Sequence, residues 1–158
     1  MTCTVISTGE ELLVKCKNEH ETPYTEIKAK LREKIWELYC NGCSSFYVNC
    51  EYGVPMWAAE IICAMKLYNN VELHIAMPYE EQSIGWSEEY RDRYYDIHSK
   101  ADEVHIIGTR CTDDCFNEAD RYMIDRSDVL LVCGNSHSGL YGAEYAGEHG
   151  VECLYLET

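Results

Sequence analysis

The sequence predicts an α/β fold, a doubly wound and mainly parallel sheet of about six strands with helices on both faces, Rossmann-like in architecture. Short apolar runs alternate along the chain with longer segments whose apolar residues recur at helical spacing. The short runs lack an alternating polar face, which is typical of strands buried on both sides of a sheet. No linker, repeat or low-complexity stretch divides the 158 residues, so we expect one domain over 1–158.

Apolar runs bounded by turn residues define the expected strands. They cover 4–7, 46–48, 71–77, 104–107, 129–133 and 151–156. The third run stops at Pro78, which has no N–H to donate to a neighbouring strand. The last three runs are separated by segments long enough for a crossover helix, as parallel pairing requires.

Five helices are expected between these strands. Thr22 and Pro23 predict the start of the first helix. Thr22 can cap the free N–H groups, and Pro23 is favoured at the first helical position. The first helix continues to Gly42, the second covers 55–68, the third is capped by Ser87, the fourth contains 116–123 and the last ends at Gly150.

Acidic residues dominate the charge of the chain. Asp and Glu number 28 against 13 for Lys and Arg, which gives a formal net charge of −15. This disfavours unaided binding to nucleic acid, which depends on neutralising phosphates with basic side chains. The sequence begins on a strand-like segment, and no apolar run approaches the length of a membrane span. We therefore expect a cytoplasmic protein with no nucleic-acid or membrane partner.

The chain contains ten cysteines, and Cys40 and Cys43 form a CxxC pair. Such pairs occur in redox and zinc sites. Here the intervening Asn41-Gly42 is typical of the left-handed end of a helix, and no second CxxC follows. We interpret the thiols as reduced and largely as small buried hydrophobes, and we expect neither a metal nor a cofactor.

Ligands in such sheets bind at the carboxyl ends of the strands, near the point where strand order reverses. Four loops are expected there, at 8–21, 50–54, 108–114 and 134–139. The loop at 50–54 passes through Gly53 into a helix. Its free N–H groups and the positive end of the helix dipole suit a phosphate.

Four segments carry a resemblance to a known family. They are GVPMWAAEI at 53–61, ELHIAMPYEEQSIGWSEEYRDRYYDI at 72–97, ADEVHII at 101–107 and RYMIDRSDVLLV at 121–132. In this order they resemble the YpsA-like family of the SLOG superfamily, which is related to the DNA-processing protein DprA and to the LOG phosphoribohydrolases. The resemblance implies a doubly wound sheet and a nucleotide or nucleotide-derived ligand. It implies no particular reaction.

The glycine turns and the resemblance together suggest a set of ligand-binding candidates. They are Thr8, Gly9, Gly53, Glu60, Arg121, Asp125, Gly134, Ser136, Ser138 and Gly139. Glu60 could accept hydrogen bonds from ligand hydroxyls or act as a general base. The structural alternative is a carboxylate that is stabilised near the positive N-terminal end of its helix. Arg121 could reach a phosphate with Asp125 orienting it, or the two could form an ion pair at i, i+4 spacing.

Several turns depart from the pattern of the family. Asn49-Cys50 stands where relatives commonly show Gly-Gly or Ser-Gly, and Pro55 stands where they often carry Asp. The first turn, typically Thr-Gly-His-Arg, is Thr8-Gly9-Glu10-Glu11. Two carboxylates in place of a cationic pair make a phosphate beside this turn less favourable.

We interpret the chain as a binding module, sensing or regulatory, for a small nucleotide-derived ligand. One alternative is a nucleotide N-glycoside hydrolase in which Glu60 or Asp125 has an acid–base role. Against it, the Pro-Gly-Gly-x-Gly-Thr loop of the LOG enzymes is absent. Another alternative is a protein–protein adaptor with a degenerate pocket, and formation of a homo-oligomer is left open.

Overall fold

The computed structural model describes residues 1–13 and 18–158. The strands are β1 (Thr2–Ser7), β2 (Ser45–Val48), β3 (Glu72–Met77), β4 (Glu103–Ile106), β5 (Val129–Cys133) and β6 (Glu152–Leu156). The helices are α1 (Tyr24–Cys40), α2 (Val54–Met65), α3 (Glu88–Lys100), α4 (Cys115–Asp125) and α5 (Tyr141–Glu148), and Glu10–Leu13 forms a short 3-10 helix.

All six strands form one parallel sheet in the order β4-β3-β2-β1-β5-β6. The chain moves outward from β1 to β4 and then returns to the other side of β1. Strand order therefore reverses between β1 and β5, where Ser7 lies beside Cys133 at the ends of the two strands. The predicted doubly wound parallel sheet is confirmed.

Helices cover both faces of the sheet because right-handed crossovers on either side of the reversal go to opposite faces. Helices α1, α2 and α3 pack on one face around a core that includes Leu31, Ile35 and Phe46, all with no exposed surface. Helices α4 and α5 pack on the other face around Met123 and Leu130. Burial of each of these large side chains contributes about 1.5–3 kcal/mol to stability.

Helix boundaries differ from the predicted ones by a few residues. Helix α1 begins at Tyr24, after Pro23, and α2 begins at Val54, one residue before Pro55. Helix α2 ends at Met65 instead of residue 68. Its final turn tightens there, since Leu67 N donates to Ala64 O at 3.3 Å, the bonding pattern of a 3-10 turn.

The cysteines of the described residues are free thiols. Cys40 is exposed at the end of α1, and Cys43 is buried beyond the turn at Gly42, which has a φ of 106°. Burial raises the pKa of Cys133 to about 12, so this thiol stays protonated at neutral pH. Among residues 1–13 and 18–158, no helix combines the length and apolar character that crossing a membrane requires.

Gly134 is required at the end of β5 by its backbone and by its neighbour. Its φ is 127°, and a Cβ at this position would lie 1.8 Å from Thr8 Oγ1. We expect Gly134→Ala to lower the free energy of unfolding by about 1–3 kcal/mol in urea titrations, as for a strained left-handed residue. Gly147→Ala in α5 is the control. A Cβ there meets nothing within 4 Å, so this change should raise stability by about 0.5–1 kcal/mol. An unchanged midpoint for Gly134→Ala would contradict the expectation.

His98 makes stability depend on pH. It packs 4.0 Å from the ring centroid of Tyr94, and burial lowers its pKa from 6.5 to about 4. The unfolded chain takes up a proton at this site at higher pH than the native protein does. The contribution of His98 to the free energy of unfolding should therefore fall as pH drops from 6.5 to about 4.

Denaturant titrations of wild type and His98→Phe across this pH range measure that contribution, since other titrating groups cancel in the difference. The exposed His149→Phe is the matched control for replacement of a surface imidazole by a phenyl ring. Parallel profiles for wild type and His98→Phe would show that His98 does not have this role.

Candidate functional site

The loops after β1 and β5 meet where strand order reverses, at the carboxyl edge of the sheet. Thr8 N donates to Cys133 O at 2.9 Å, and Gly134 approaches the Thr8 side chain closely. Gly9, with a φ of 84°, turns the chain, and its N–H donates to Ser7 Oγ at 2.9 Å. The structure thus brings together Thr8, Gly9 and Gly134, as the sequence predicts.

The turn after β5 holds a carboxylate of the chain itself. Glu10 accepts hydrogen bonds from Asn135 N at 2.7 Å and from Ser136 N at 2.6 Å. Hydrogen bonds from Ser136 and from the Asn135 backbone hold the pKa of Glu10 below its ordinary value. Successive backbone N–H groups of this kind are a common anion site, and here Glu10 supplies the anion.

The turn after β2 holds a second carboxylate. Glu11, only 5% exposed, accepts from Val54 N at 3.1 Å and from Ser7 Oγ at 2.6 Å. A Cβ on Gly53 would lie 2.7 Å from Glu11 Oε1, so the glycine leaves room for this contact. The carboxylate lies at the positive end of α2, where a phosphate is expected from sequence. Any external anion at either turn would compete with a carboxylate that is already bound.

The remaining residues of the turn after β5 lie on its outer side. Ser136 contributes its N–H to Glu10, whereas Ser138 and Gly139 are exposed. The ring of His137 packs 4.3 Å from that of Tyr155, and its Nε2 lies 2.6 Å from Gly134 O. These contacts hold the turn in place.

Glu60 lies on α2 between helices, away from the carboxyl edge. Arg93 of α3 binds it with two nitrogens, Nη2 at 2.5 Å from Oε1 and Nε at 3.3 Å from Oε2. Arg93 also contacts Glu19, which accepts from Trp57 Nε1 at 2.6 Å. Burial alone would raise the pKa of Glu19, but these hydrogen bonds hold it below its ordinary value. The network borders a cavity of about 530 Å³ between α1, α2 and α3, lined also by Lys28.

Arg121 and Asp125 do not form the ion pair that was one of the two alternatives for them. Arg121 Nη1 donates to Tyr141 Oη at 2.9 Å and Nη2 to Asp114 Oδ2 at 3.2 Å. Asp125 accepts from Tyr145 Oη at 2.7 Å. Helix α4 runs antiparallel to the strands, so Asp125 at its end lies near the amino edge of the sheet. There it lines a cleft of about 360 Å³ with His149. Glu60, Asp125 and the glycine turns therefore belong to three separate places.

A cavity of about 560 Å³ opens at the carboxyl ends of β2, β3 and β4. Its lining comes from the loops after these strands and from the first turn of α4. The lining residues are Glu51, Tyr52, Tyr79, Glu81, Gln82, Ile84, Gly85, Trp86, Thr109, Arg110, Cys111 and Phe116. The loop after β3 was not among the four loops expected to contribute. Pro78 follows the end of β3, and Tyr79, Gln82 and Trp86 come soon after it. Aromatic and amide side chains just beyond a strand end could have predicted that this loop contributes to a site.

Buried polar groups form the inner wall of this cavity. Gln82, 2% exposed, donates from Nε2 to Asn49 O and to Glu51 Oε2, both at 3.0 Å. Tyr94 Oη donates to Gln82 Oε1 at 3.1 Å. Burial raises the pKa of Glu51, and the hydrogen bond from Gln82 offsets part of that shift. The hydrogen bond from Gln82 therefore holds the Glu51 carboxyl group in one position at the inner wall.

Aromatic rings and one cation form the outer wall. Tyr52 and Trp86 pack edge to face with centroids 5.3 Å apart, and Tyr79 and Phe116 do so at 6.4 Å. Tyr52 is 38% exposed and Phe116 36%. Arg110 is exposed, and no carboxylate of residues 1–13 and 18–158 lies within 4.0 Å of its guanidinium nitrogens. This wall can stack a planar ring and neutralise one negative charge.

Glu11 should contribute more to stability than an ordinary surface carboxylate. Glu11→Ala leaves the buried Val54 N–H without its acceptor, which should lower the free energy of unfolding by about 1–3 kcal/mol. The exposed Glu33→Ala on α1 is the control and should change stability by less than about 0.5 kcal/mol. Equal effects of the two changes in chemical denaturation would argue against a structural role for the Glu11 carboxylate.

Comparison with known proteins gives the sequence relationship. A family model described as "YspA SLOG family" matches residues 10–148. A "UPF0398 protein" of Bacillus thuringiensis (strain Al Hakam) is 34% identical over 120 residues, 73% of this chain and 64% of the relative. A "UPF0398 protein" of Bacillus cereus (strain Q1) gives the same values. The chain thus spans under two thirds of the length of these relatives.

The family match extends from the 3-10 helix after β1 to the end of α5. It includes the turns after β2 and β5 and the whole lining of the cavity at the ends of β2, β3 and β4, but not Thr8 and Gly9 of the turn after β1. The resemblance seen in the sequence motifs is confirmed, and the chain belongs to the YpsA family of SLOG proteins.

Proposed function

We propose that this chain is a cytoplasmic, single-domain binding module for a small nucleotide or nucleotide-derived ligand, with a sensing or regulatory role. The observation that carries the proposal is the cavity at the carboxyl ends of β2, β3 and β4, which combines exposed aromatic rings with Arg110. The cavity lies beyond the carboxyl ends of the strands, where ligands of open parallel sheets bind, but it is beside the reversal of strand order between β1 and β5 and not at it. Membership of the SLOG family supports a nucleotide-related ligand.

Each wall of the cavity has a role in this proposal. The base stacks on the exposed face of Phe116, and Arg110 neutralises an anionic group of the ligand. Glu51 and Gln82 lie where they can hydrogen-bond to sugar hydroxyls or to a base edge. The Glu51 carboxylate can accept from a ligand hydroxyl or N–H in addition to Gln82 Nε2.

The charge distribution favours a ligand with few negative charges. Glu10 and Glu11 already occupy the backbone N–H groups at the turns after β5 and β2. The net charge of −15 repels polyanions. We therefore expect nucleosides and nucleoside monophosphates to bind more tightly than di- and triphosphates.

The hydrolase alternative needs an acid–base carboxylate beside the glycosidic bond. Glu60 is paired with Arg93 between helices, and Asp125 lies near the opposite edge of the sheet. Neither position supports the alternative. Incubation with nucleoside monophosphates followed by chromatography for free base tests it directly, and base release that Glu60→Gln or Asp125→Asn abolishes would overturn our preference for binding.

Titration calorimetry with adenosine, AMP, ADP and ADP-ribose tests the proposed site. Phe116→Ala should weaken binding of all responding ligands by about 5- to 150-fold, because stacking of a base contributes about 1–3 kcal/mol. Arg110→Gln should weaken the binding of AMP but leave the affinity for adenosine nearly unchanged.

Arg91→Gln on the exposed surface of α3 is the control for loss of positive charge and should leave all affinities unchanged. No heat with any of the four compounds, or affinities that Phe116→Ala does not change, would refute the site. A uniformly negative result would favour the adaptor alternative.

A further inference from the structure

Two neighbouring strands place imidazole and carboxylate groups together on the α4–α5 face of the sheet. His74 of β3 lies in register with Glu103 of β4, and His105 follows two residues later on β4. Side chains alternate between the two faces of a strand, so Glu103 and His105 share a face. They form a cluster with His74 at the edge of the sheet, which we call the His74 cluster.

The ligand atoms of the cluster have the spacing of a metal site. Glu103 Oε2 lies 3.0 Å from His105 Nε2 and 3.5 Å from His74 Nδ1. All three donor atoms lie within 4.8 Å of one another. Tetrahedral zinc with bonds of about 2.0–2.1 Å separates its ligand atoms by about 3.3–3.5 Å. One ion could contact all three with small side-chain movements.

The two imidazole nitrogens that face Glu103 lack other partners. Within the described ranges 1–13 and 18–158, His74 Nδ1 and His105 Nε2 are buried atoms without a hydrogen bond. Although Glu103 is near, neither contact has hydrogen-bonding geometry. His74 as a whole is only 9% exposed. A buried polar atom left unsatisfied is unfavourable, and a bound cation would satisfy both nitrogens.

Glu72 orients the ring of His74. The carboxylate of Glu72 lies 3.1 Å from His74 Nε2, on the side of the ring away from Glu103. With the proton on Nε2 donated to Glu72, the lone pair of Nδ1 points into the cluster. A carboxylate behind a metal-binding histidine is a recurrent arrangement that fixes the tautomer and orientation of the ring.

Neighbouring rings hold both imidazoles in place. Tyr47 stacks on His74 with centroids 4.7 Å apart, and the ring of Tyr122 lies 5.2 Å from that of His105. The nearby cation, Arg126, packs over Tyr122 at 3.6 Å. The Glu103 side chain is 57% exposed, so a water molecule can reach the fourth position.

We propose that His74 Nδ1, His105 Nε2 and the Glu103 carboxylate bind one divalent transition-metal ion, with Glu72 supporting His74 and water in the remaining position. Imidazole with one carboxylate suits Zn²⁺, and also Co²⁺ and Ni²⁺, over Mg²⁺ or Ca²⁺. The site is independent of the proposed nucleotide cavity, which lies at the carboxyl edge.

Titration of the chelator-treated full chain with Co²⁺, followed by competition with Zn²⁺, tests the proposal. Visible absorption should show one tetrahedral Co²⁺ per chain, displaced by Zn²⁺. Both Glu103→Gln and His105→Gln should weaken binding by more than 10-fold. Glu72→Gln should weaken it by about 10- to 100-fold, the range for supporting carboxylates. The exposed His149→Gln, outside the cluster, should bind as wild type.

Thiols are the main competing ligands in this cysteine-rich chain, and thiolate bound to Co²⁺ gives intense charge-transfer bands in the near ultraviolet. Such bands, no binding by the wild type, or unchanged affinity in the Glu103→Gln/His105→Gln double variant would each overturn the proposal. Circular dichroism and urea midpoints close to wild type show that these exposed or half-buried positions were changed without unfolding the chain. Weakened binding in variants with such midpoints supports the site.

Discussion

Two adjacent carboxylates organise the carboxyl edge of this sheet. Glu10 receives the N–H groups of Asn135 and Ser136 after β5, and Glu11 receives that of Val54 at the start of α2. These hydrogen bonds join the loop after β1 to the loops on both sides of it, where strand order reverses. Backbone donors that could bind an external phosphate are thereby satisfied within the chain, and the positive end of α2 is neutralised.

This arrangement limits where the carboxyl edge of the sheet can bind an anion. With the two glycine turns closed to anions, the open space at the carboxyl edge is displaced toward β2, β3 and β4, where aromatic rings and Arg110 line a cavity. Under the proposed function, recognition there depends on stacking and on one cation in place of a phosphate cradle. The same turns also stabilise the fold, so the residues that close them cannot be changed for ligand binding without a cost in stability.

The candidate residues show how far sequence could locate the site. Thr8, Gly9 and Gly134 were predicted together and lie together, because turns after adjacent parallel strands must meet at one edge. Glu60 and Asp125 were placed by resemblance and by helical spacing. Their partners, Arg93 and Tyr145, come from other helices, and helical spacing carries no information about contacts between helices. The cavity residues after β3 and the His74 cluster were missed for the same reason, since their members belong to different loops and strands.

The sequence by itself determined the alternation of strands and helices along the chain, the parallel doubly wound sheet and the family. Each of these depends on short-range periodicity, on turn residues or on motifs that can be recognised within a few dozen residues. Only the tertiary structure decided what fills the turns. Glu10 and Asn135 are 125 residues apart, and Glu11 and Val54 are 43 apart. The sequence suggested that Glu10 and Glu11 would repel a phosphate. The folded chain shows the physical reason, because these carboxylates accept the hydrogen bonds that a phosphate would need.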